Sequence, residues 1–591
     1  MTPEEVEAIV RGYVVGLVRR YLPVAAGLAV LALLAATVPS QSPRQEVRTS
    51  GAAAGLSAAD GGTGGENAAE EAATEASGPG SAAAPGADAA APTANRTNVP
   101  GGASARPAPG VSVPGAAAAK GNARATSGVT CASGVRQVPW STYGPYCTPA
   151  WTGNNGGSTA VGVTKDTITL SYRVASSGES AALQAAAPST EKTLDQRAYL
   201  ADLRTFVGFF NTQFELYGRK VVLKEFSGRG DWIAEYQGQN VEGAQADGAQ
   251  ARSLGAFGDL SMGRTSSTPA YTRALAANHV VSMGGATLSQ GAFQALAPFA
   301  YSVESAFDDF GRFFGNVACQ RMSQLPASFA GDVALASRRR VFGVVHPENP
   351  DYSPAGDIVA SKLKACGDPV ASRVSYSINL ATLQSQSANA IAQLKAAHVS
   401  TVICLCDGIS AIFFTTAADS QNYRPEWLMM GTSDYTGRRW SSQQVRSSLT
   451  AGGVQRVPRS EAYRVYKLAN PKGEPQTPGW TLDLAYQSAV LAFSALQSAG
   501  PGLSPASLQR GFSALPDSPA VGDYPAWHFG AKRFNATGGL PLGYWDPNAP
   551  SPVAGGNGAW VPCAAGDGAY RPWEPAQAYG ARRSPLRCFG K

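Results

Sequence analysis

Histidine is scarce in this sequence, and the catalytic patterns that depend on it are missing. Only 4 of the 591 residues are histidines, they lie far apart, and no His-Glu-x-x-His pair occurs. A Gly-x-Ser-x-Gly nucleophile elbow and a glycine-rich phosphate loop ending in Lys-Ser or Lys-Thr are absent as well. Cys404 and Cys406 form a close pair, but without a second such pair or a nearby histidine they indicate no zinc site. The sequence therefore predicts neither an enzyme nor a metal or cofactor site.

The chain also lacks a concentration of charge of one sign. Its 48 basic and 42 acidic residues give a formal net charge of +6. The basic residues are spread along the chain and form no stripe that could follow a phosphate backbone. A small basic cluster between residues 571 and 591 is typical of a solvated tail. Nucleic acid is therefore not an expected partner.

One long run without charge lies near the N-terminus. Residues 21–38 contain no charged side chain, and their length is close to the ~20 residues that span a bilayer. Arginines precede this run, so the positive-inside rule places residues 1–20 in the cytoplasm and everything after Val38 outside. We expect a retained single-pass anchor in the cell membrane with an extracytoplasmic domain. Cleavage as a signal sequence, near the small residues Val38 and Ser40, is the alternative.

Large side chains are nearly missing from the next segment. From residue 39 to residue 127, Ala, Gly, Pro, Ser and Thr dominate. Such a segment cannot bury enough apolar area to offset the entropy of ordering it, which predicts a disordered linker. Aromatic residues return beside Cys131 and Cys147, which indicates a folded extension over residues 128–159.

The eight cysteines are an even set in a chain predicted to lie outside the cytoplasm, which favours disulfides. Cys131 with Cys147, and Cys563 with Cys588, would each close a short loop in a Gly/Pro-rich segment. Cys319 with Cys366 is a third expected bridge. The neighbours Cys404 and Cys406 face the same side of a predicted strand, and either burial as small apolar side chains or bonding fits them.

Beyond residue 160, short apolar runs with strand character alternate with longer segments of helical period, which predicts an α/β fold with a mostly parallel sheet. Several runs are apolar on consecutive residues, so both faces of those strands should be buried. The alternation is too long for one ordinary sheet, which favours two similar lobes. The predicted strands are 167–172, 220–226, 280–283, 340–345, 401–405 and 427–430, and apolar helical faces run through 203–214, 310–317 and 482–496.

The order of these segments resembles the type I periplasmic solute-binding proteins, especially the branch of leucine/isoleucine/valine receptors that serve ABC importers. Val161–Leu170 is similar to the opening strand of that family, and Tyr217–Lys220 is similar to its passage from a helix through glycine-arginine into a strand. Asp351-Tyr352 resembles the family's aspartate-tyrosine-glycine turn, although serine replaces the glycine. Leu484–Ala489 resembles the late helix with its alanine-tyrosine-aspartate-alanine pattern. The resemblance covers residues 160–565.

The resemblance implies two α/β lobes joined by three hinge crossings, with the ligand bound between the lobes. Lobe 1 would comprise residues 160–303 and 460–528, lobe 2 would comprise residues 306–456 and 540–565, and a cysteine-clipped tail would follow over 566–591. The crossings would fall near Val303 to Ser305, Arg456 to Arg459 and Phe529 to Gly538.

By the same resemblance, the ligand would meet loops at the C-terminal ends of the strands, where backbone N–H groups and helix N-termini meet an anionic part of it. The family's amino-acid receptors often carry a carboxylate after the strand matched by Leu428 to Met430. Here only Asp434 stands near that place, shifted by about one position, so an amino-acid ligand is not implied. A turn or helix cap without ligand contact is the alternative role for each candidate. The candidates are Ser176, Ser177, Ser261, Met262, Gly284, Gly285, Ala286, Thr287, Tyr352, Asp407 and Asp434.

The function that the resemblance implies is extracytoplasmic capture of a small polar or amphipathic solute (amino-acid-like, amide or organic acid) for an ABC importer, without a cofactor. The expected partners are the solute, an ABC permease and the membrane, which the N-terminal helix would enter. An alternative of another class is a membrane-tethered sensor or wall-associated structural module of the same fold with no transport role. The retained helix and the long linker fit that alternative.

Overall fold

The computed structural model describes the chain from Ala123 onward, with gaps. The expected cytoplasmic segment, the membrane anchor and most of the linker lie outside the described residues. No helix within the described ranges is both long and apolar enough to cross a membrane. All of these ranges fall in one compact unit, Arg106–Lys591. The described residues are 123–176, 195–263, 265–430, 437, 439–451, 460–477, 479–519, 525–537, 539–540, 542–551, 556–563 and 586–589.

The first sheet has four described strands, all parallel, in the order β2-β1-β3-β4. The central strand β1 (Thr167–Ser176) is buried on both faces, although polar and apolar residues alternate from Thr167 to Tyr172. It pairs with β2 (Lys220–Asp231) on one side and with β3 (Gly258–Asp259) on the other, and β4 (Val281–Ser282) follows β3. The C-terminal ends of these strands therefore share one edge of the sheet.

The helices between these strands cover the sheet. The Asp195 side chain starts α1 by accepting hydrogen bonds from the N–H groups of Arg197 and Ala198. The predicted apolar face of α1 is confirmed as far as Phe210, where the helix ends. Phe214 lies beyond the helix but is buried in the same core. The helices are α1 (Gln196–Phe210), α2 (Trp232–Tyr236), α3 (Val241–Ser253), α4 (Pro269–Ala277) and α5 (Gln290–Leu296).

The second sheet has seven described strands in the order β11-β10-β9-β8-β7-β5-β6. The strands β5 (Phe342–Pro347), β6 (Ser372–Tyr376), β7 (Thr401–Cys404), β8 (Glu426–Met430) and β9 (Ser448–Ala451) are parallel. The helices are α6 (Phe307–Val317), which continues into a π-helical turn (Ala318–Met322), α7 (Val333–Ala336), α8 (Ser353–Ala365), α9 (Leu380–Ala396), α10 (Ser410–Ser420) and α11 (Ser442–Val445).

The chain then returns to the first sheet before it completes the second. The helices α12 (Glu461–Ala469), α13 (Gly479–Ala499) and α14 (Pro505–Ser513) place apolar residues in the same core as α1. Afterwards β10 (Leu542–Pro550) pairs antiparallel with β9, and β11 (Asn557–Pro562) pairs antiparallel with β10. The two-lobed α/β fold expected from the resemblance is confirmed. We keep the names lobe 1 and lobe 2 for the parts built on the first and second sheets.

The N-terminal extension packs on lobe 1 and begins earlier than the sequence predicted. Arg124 forms an isolated bridge with Thr130, and Ala125 forms one with Pro149. Residues 123–127 therefore belong to the folded extension, which corrects the predicted linker boundary at residue 127. The amino-acid composition did not predict that these five positions are ordered, because they are held by backbone pairing with later residues and not by the burial of large apolar side chains.

Two aromatic side chains attach the extension to the lobe. The ring of Trp140 stacks on that of Phe210 in α1, with 5.3 Å between centroids. The hydroxyl of Tyr143 donates a hydrogen bond to the carbonyl oxygen of Pro525 at 2.9 Å, and its ring packs on that of Trp527. The extension is thus part of the lobe 1 core.

The structure joins the eight cysteines in four pairs. Cys131 bonds to Cys147 within the extension, Cys319 bonds to Cys366 between the π-helical turn and the end of α8, and Cys563 bonds to Cys588 between β11 and the tail. These are the three pairings expected from the sequence. For Cys404 and Cys406 the sequence left two alternatives open, burial as small apolar side chains or bonding. They are buried and bonded to each other.

We expect mass spectrometry of unreduced proteolytic peptides to recover the Cys131–Cys147 and Cys563–Cys588 links. The double substitution Cys131→Ser/Cys147→Ser should lower the free energy of unfolding by about 2–4 kcal/mol, because the cross-link restricts the unfolded chain. Chemical denaturation of both proteins measures this difference. Free thiols at Cys131 and Cys563 in the unreduced protein would contradict the pairing.

Candidate ligand-binding cleft

Two of the three expected crossings are described, and they run side by side. The N–H of Ser302 donates to the carbonyl oxygen of Phe534 at 3.1 Å, and the N–H of Ala536 donates to the carbonyl oxygen of Ser302 at 2.8 Å. The chain passes from the core of lobe 1 into that of lobe 2 just after these contacts in both crossings. The third expected crossing, near residues 456–459, lies outside the described residues.

A buried carboxylate fixes the two crossings to each other. The Asp309 side chain, in the first turn of α6, is fully buried. It accepts hydrogen bonds from Arg533 Nη2 at 3.0 Å and from Asn535 Nδ2 at 3.1 Å, both in the later crossing. Gln290 Nε2 donates to Asn535 Oδ1 at 2.6 Å from lobe 1. Residues of both lobes therefore meet at this hinge.

In lobe 1, the loops after β3 and β4 pack backbone against backbone. Ser261 and Met262 are fully buried, and a Cβ atom on Gly284 would lie only 2.3 Å from the carbonyl oxygen of Ser261. Glycine is required at this position because no side chain fits there. Ser488 of α13 donates to the carbonyl oxygen of Gly284 at 3.1 Å and holds the loop from behind.

The loop after β4 then leads to the hinge. Gly285 has a φ of 121°, a backbone conformation that favours glycine, and Ala286 is buried. Thr287 is half-buried, and its hydroxyl donates to Glu304 Oε2 at 3.0 Å. The N–H of Glu304 donates to the hydroxyl of Ser302 at 3.0 Å. A hydroxyl and a carboxylate are thereby brought together beside the first crossing.

A fully buried arginine lies on β1 beneath these loops. Arg173 Nη1 is 2.7 Å from Glu235 Oε1 and 3.0 Å from Asp247 Oδ2, and its Nε donates to the carbonyl oxygen of Ser266 at 2.8 Å. The guanidinium carbon lies 3.9 Å from the ring centre of Tyr271. Burial opposes the charge of Arg173, but the Glu235 carboxylate holds the pKa of the guanidinium above its ordinary value.

A second buried carboxylate, Asp259, positions one of the candidate residues. It accepts hydrogen bonds from the Ser171 hydroxyl at 2.6 Å, the Tyr271 hydroxyl at 3.0 Å and the N–H of Ser261 at 2.9 Å. Burial raises the pKa of Asp259 above its ordinary value. The Ser261 hydroxyl in turn accepts a hydrogen bond from the N–H of Arg173. Ser261 is thus fixed from both sides.

In lobe 2, Tyr352 and Asp407 follow strands β5 and β7, as predicted. The Tyr352 ring is buried and stacks on Phe307, with 3.7 Å between centroids. Asp407 Oδ1 accepts the N–H groups of Ile409 and Ser410 at 3.0 and 2.9 Å, and Oδ2 accepts the Tyr376 hydroxyl at 3.0 Å. The Asp407 carboxylate therefore has the contacts of a helix cap for α10, the alternative role that its sequence context left open.

Ser176 is the one remaining candidate among the described residues. Ser176 is exposed at the end of β1, with its hydroxyl 3.5 Å from Asp231 Oδ2, and Asp231 caps α2. Ser177 and Asp434 lie outside the described residues. The structure thus brings Ser261, Met262 and the 284–287 loop together at one edge of lobe 1.

Residues near the strand ends of the two lobes contact each other. Arg273 of α4, in lobe 1, donates to both carboxylate oxygens of Asp351, in the loop after β5 of lobe 2, at 2.9 Å. Apolar side chains also meet between the lobes. Leu380 and Ile409 of lobe 2 pack against three lobe 1 residues: Ala175 near the end of β1, and Trp232 and Ile233, which follow β2.

Sequence patterns located the loops but missed the charged residues that hold them. Glu235 and Asp247 meet Arg173 from 62 and 74 positions away along the chain, and Asp351 meets Arg273 from 78 positions away. One signal was present: Arg173 is the only charged residue of β1, and a charge within a buried strand requires a buried partner. The sequence alone does not reveal which carboxylate that partner is.

No protein-family model matches this chain, and no curated protein matches it. Solved structures do. The chain is similar to a fatty acid ABC transporter substrate-binding protein from Thermomonospora curvata, with 14% identity, 73% of this chain and 99% of that chain covered, and a TM-score of 0.49. It is similar to a leucine-, isoleucine-, valine-, threonine- and alanine-binding protein from Brucella ovis in the closed conformation, with 12% identity, coverage of 71% and 100%, and a TM-score of 0.47. A type 1 periplasmic binding protein from Bordetella pertussis matches with 13% identity, coverage of 66% and 100%, and a TM-score of 0.45. These proteins are named as binding proteins, and the similarity is one of fold.

We expect the substitution Arg173→Met to destabilise lobe 1 by about 3–5 kcal/mol, because it leaves the Glu235 and Asp247 carboxylates buried without their cation. Chemical denaturation followed by tryptophan fluorescence measures the loss. The matched control is Arg204→Met, whose side chain is 51% exposed and pairs with Glu225 at 2.5 Å. That change should cost about 0–1 kcal/mol. Equal effects of the two substitutions would show that the buried cluster has no special role.

Proposed function

We propose that this protein captures a small polar or amphipathic solute between its two lobes and delivers it to an ABC importer. The cleft is the observation that supports this function best. Residues near the C-terminal ends of two sets of parallel strands contact each other, and adjacent crossings join the lobes. In open α/β sheets, ligands bind outside these strand ends, and paired crossings are suited to hinge closure around a ligand.

The described cleft residues suit an amphipathic ligand. Thr287 and Glu304 offer a hydroxyl and a carboxylate beside the hinge. Trp232 and Ile233, which follow β2, pack against Leu380 and Ile409 of lobe 2, so apolar side chains of both lobes meet at the strand ends. A few convergent polar groups within an apolar lining are typical of small-molecule sites. The polar groups would orient the solute, and its apolar part would lie against the aromatic and aliphatic side chains.

The proposed location is the outer side of a cell membrane. Residues 21–38 would remain as the anchor, with residues 1–20 in the cytoplasm and the lobes outside. The four disulfides support an oxidising compartment, since bonded cysteines are rare in the cytosol.

A tethered sensor without an importer is the second candidate. The observation that favours it is the attachment of the extension to lobe 1 through Trp140 and Tyr143, which fixes the point where a tether would enter the domain. Stimulation of the ATPase activity of a reconstituted importer by the liganded protein distinguishes transport from sensing.

We expect at least one solute class to raise the melting temperature of the purified protein. A ligand at 100 times its dissociation constant adds about 2.7 kcal/mol to the free energy of unfolding, which is readily measured. The panel should contain amino acids, amides, short organic acids and aromatic acids. Absence of a shift with every class would count against solute capture.

The substitution Asp434→Asn tests the proposed carboxylate contact. If Asp434 meets a cationic group of the ligand in the closed cleft, removing its charge leaves that group unpaired. Affinity should then fall at least about tenfold, or ~1.4 kcal/mol, with an unchanged melting temperature. Titration calorimetry with a ligand from the panel measures it. The control is Asp332→Asn, a helix cap of α7 that accepts the N–H of Ala334 at 2.8 Å, which asparagine can replace. Unchanged affinity in the Asp434 variant would remove this residue from the site.

A further inference from the structure

The contact between Arg273 and Asp351 joins residues of the two lobes that lie outside the two described crossings. Both Asp351 oxygens lie 2.9 Å from Arg273 Nη2, and the Asp351 side chain is 4% exposed. Hydrogen bonds between charged groups are roughly twice as strong as neutral ones. A nearly buried carboxylate also depends on its cation more than an exposed one does. This ion pair therefore differs from an ordinary surface pair.

Each partner is held in place by its own lobe. Arg273 Nη1 donates to the carbonyl oxygen of Pro269, one turn earlier in α4, at 3.3 Å. The N–H of Asp351 donates to Asn349 Oδ1 at 2.9 Å in the loop after β5. Little side-chain freedom is lost when such groups meet, because each is already oriented.

An apolar contact also joins the two lobes. Ala175, Trp232 and Ile233 of lobe 1 are 5, 8 and 2% exposed, and the lobe 2 residues Leu380 and Ile409 pack against them. Separation of the lobes would expose this surface to water and leave Asp351 without its partner. Both effects oppose opening.

We propose that Arg273 and Asp351, together with this apolar contact, form an interlobe latch that stabilises the closed arrangement before any ligand binds. Arg273 and Asp351 act as positioning residues and need not touch the ligand. The latch sets the fraction of molecules that are closed, and the apparent affinity for a ligand that binds the closed form scales with that fraction. Only this consequence for affinity rests on the proposed function.

The experiment measures the distance between the lobes in the full-length, ligand-free protein in detergent. Val241 in lobe 1 and Val333 in lobe 2, which are 41 and 84% exposed, are each replaced by p-acetylphenylalanine, to which a spin label is attached. Because this labelling needs no cysteine, the disulfides stay intact. Pulsed dipolar spectroscopy should show one dominant short distance. The substitution Arg273→Gln should raise the ratio of long to short distances roughly tenfold, as expected for loss of a charged hydrogen bond. Arg273→Lys should give an intermediate ratio.

Two further variants keep the test decisive. Asp351→Asn removes the negative charge and one acceptor oxygen from the other lobe and should shift the ratio in the same direction. Arg204→Gln removes an ion pair that lies within lobe 1 and should leave the distances unchanged. Unchanged distances in both Arg273→Gln and Asp351→Asn, with native circular dichroism, would overturn the latch even if a solute binds. Opening of both variants in a protein that binds no solute of the panel would support the latch and contradict solute capture.

Discussion

The buried guanidinium of Arg173 is the interaction on which the cleft edge of lobe 1 depends. It joins β1 to Glu235 of α2 and to the carbonyl of Ser266, in the loop that leads into α4. Thr268, which caps α4, donates its hydroxyl to the same Glu235 carboxylate. A buried ion cluster adds little net stability over apolar packing, but it tolerates few alternative arrangements. Its effect here is to fix α2 and α4, two helices of lobe 1 whose residues contact lobe 2.

The fold could be predicted where strands are apolar on consecutive residues. β5, with Val344 and Val345, was located because burial on both faces leaves a continuous apolar run. β1 was located although its apolar residues alternate with polar ones from Thr167 to Tyr172. β6 was missed because its sequence, Ser372–Tyr376, buries only alternate residues at an edge of the sheet. β3 was not among the predicted apolar runs because two residues carry no period, and only the resemblance implied a strand before Ser261. Tertiary pairing alone defines such strands.

The candidate site could be predicted only in part, for a related reason. Loops that follow strands can be recognised in the sequence, and Ser261, Gly284 and Tyr352 do follow strands of the two lobes. The hydrogen-bond partner of each polar group cannot be predicted from the sequence, because it depends on contacts between distant segments. Asp407 illustrates this point: the sequence could not separate a ligand contact from a helix cap, and the structure gives its carboxylate four hydrogen-bond donors from the protein.

The positions of the interlobe contacts determine what opening would change. The Asp309–Arg533 pair lies where the chain crosses between the lobes, so a rotation about the crossings moves its two members little. The Arg273–Asp351 pair joins residues of the two lobes that lie outside the crossings, so separation of the lobes would break it. The extension packs on lobe 1 through Trp140, whereas Phe589 of the tail packs on lobe 2 beside Phe329. Because the N-terminal chain is attached to lobe 1, opening in a tethered molecule would move lobe 2 relative to its anchor.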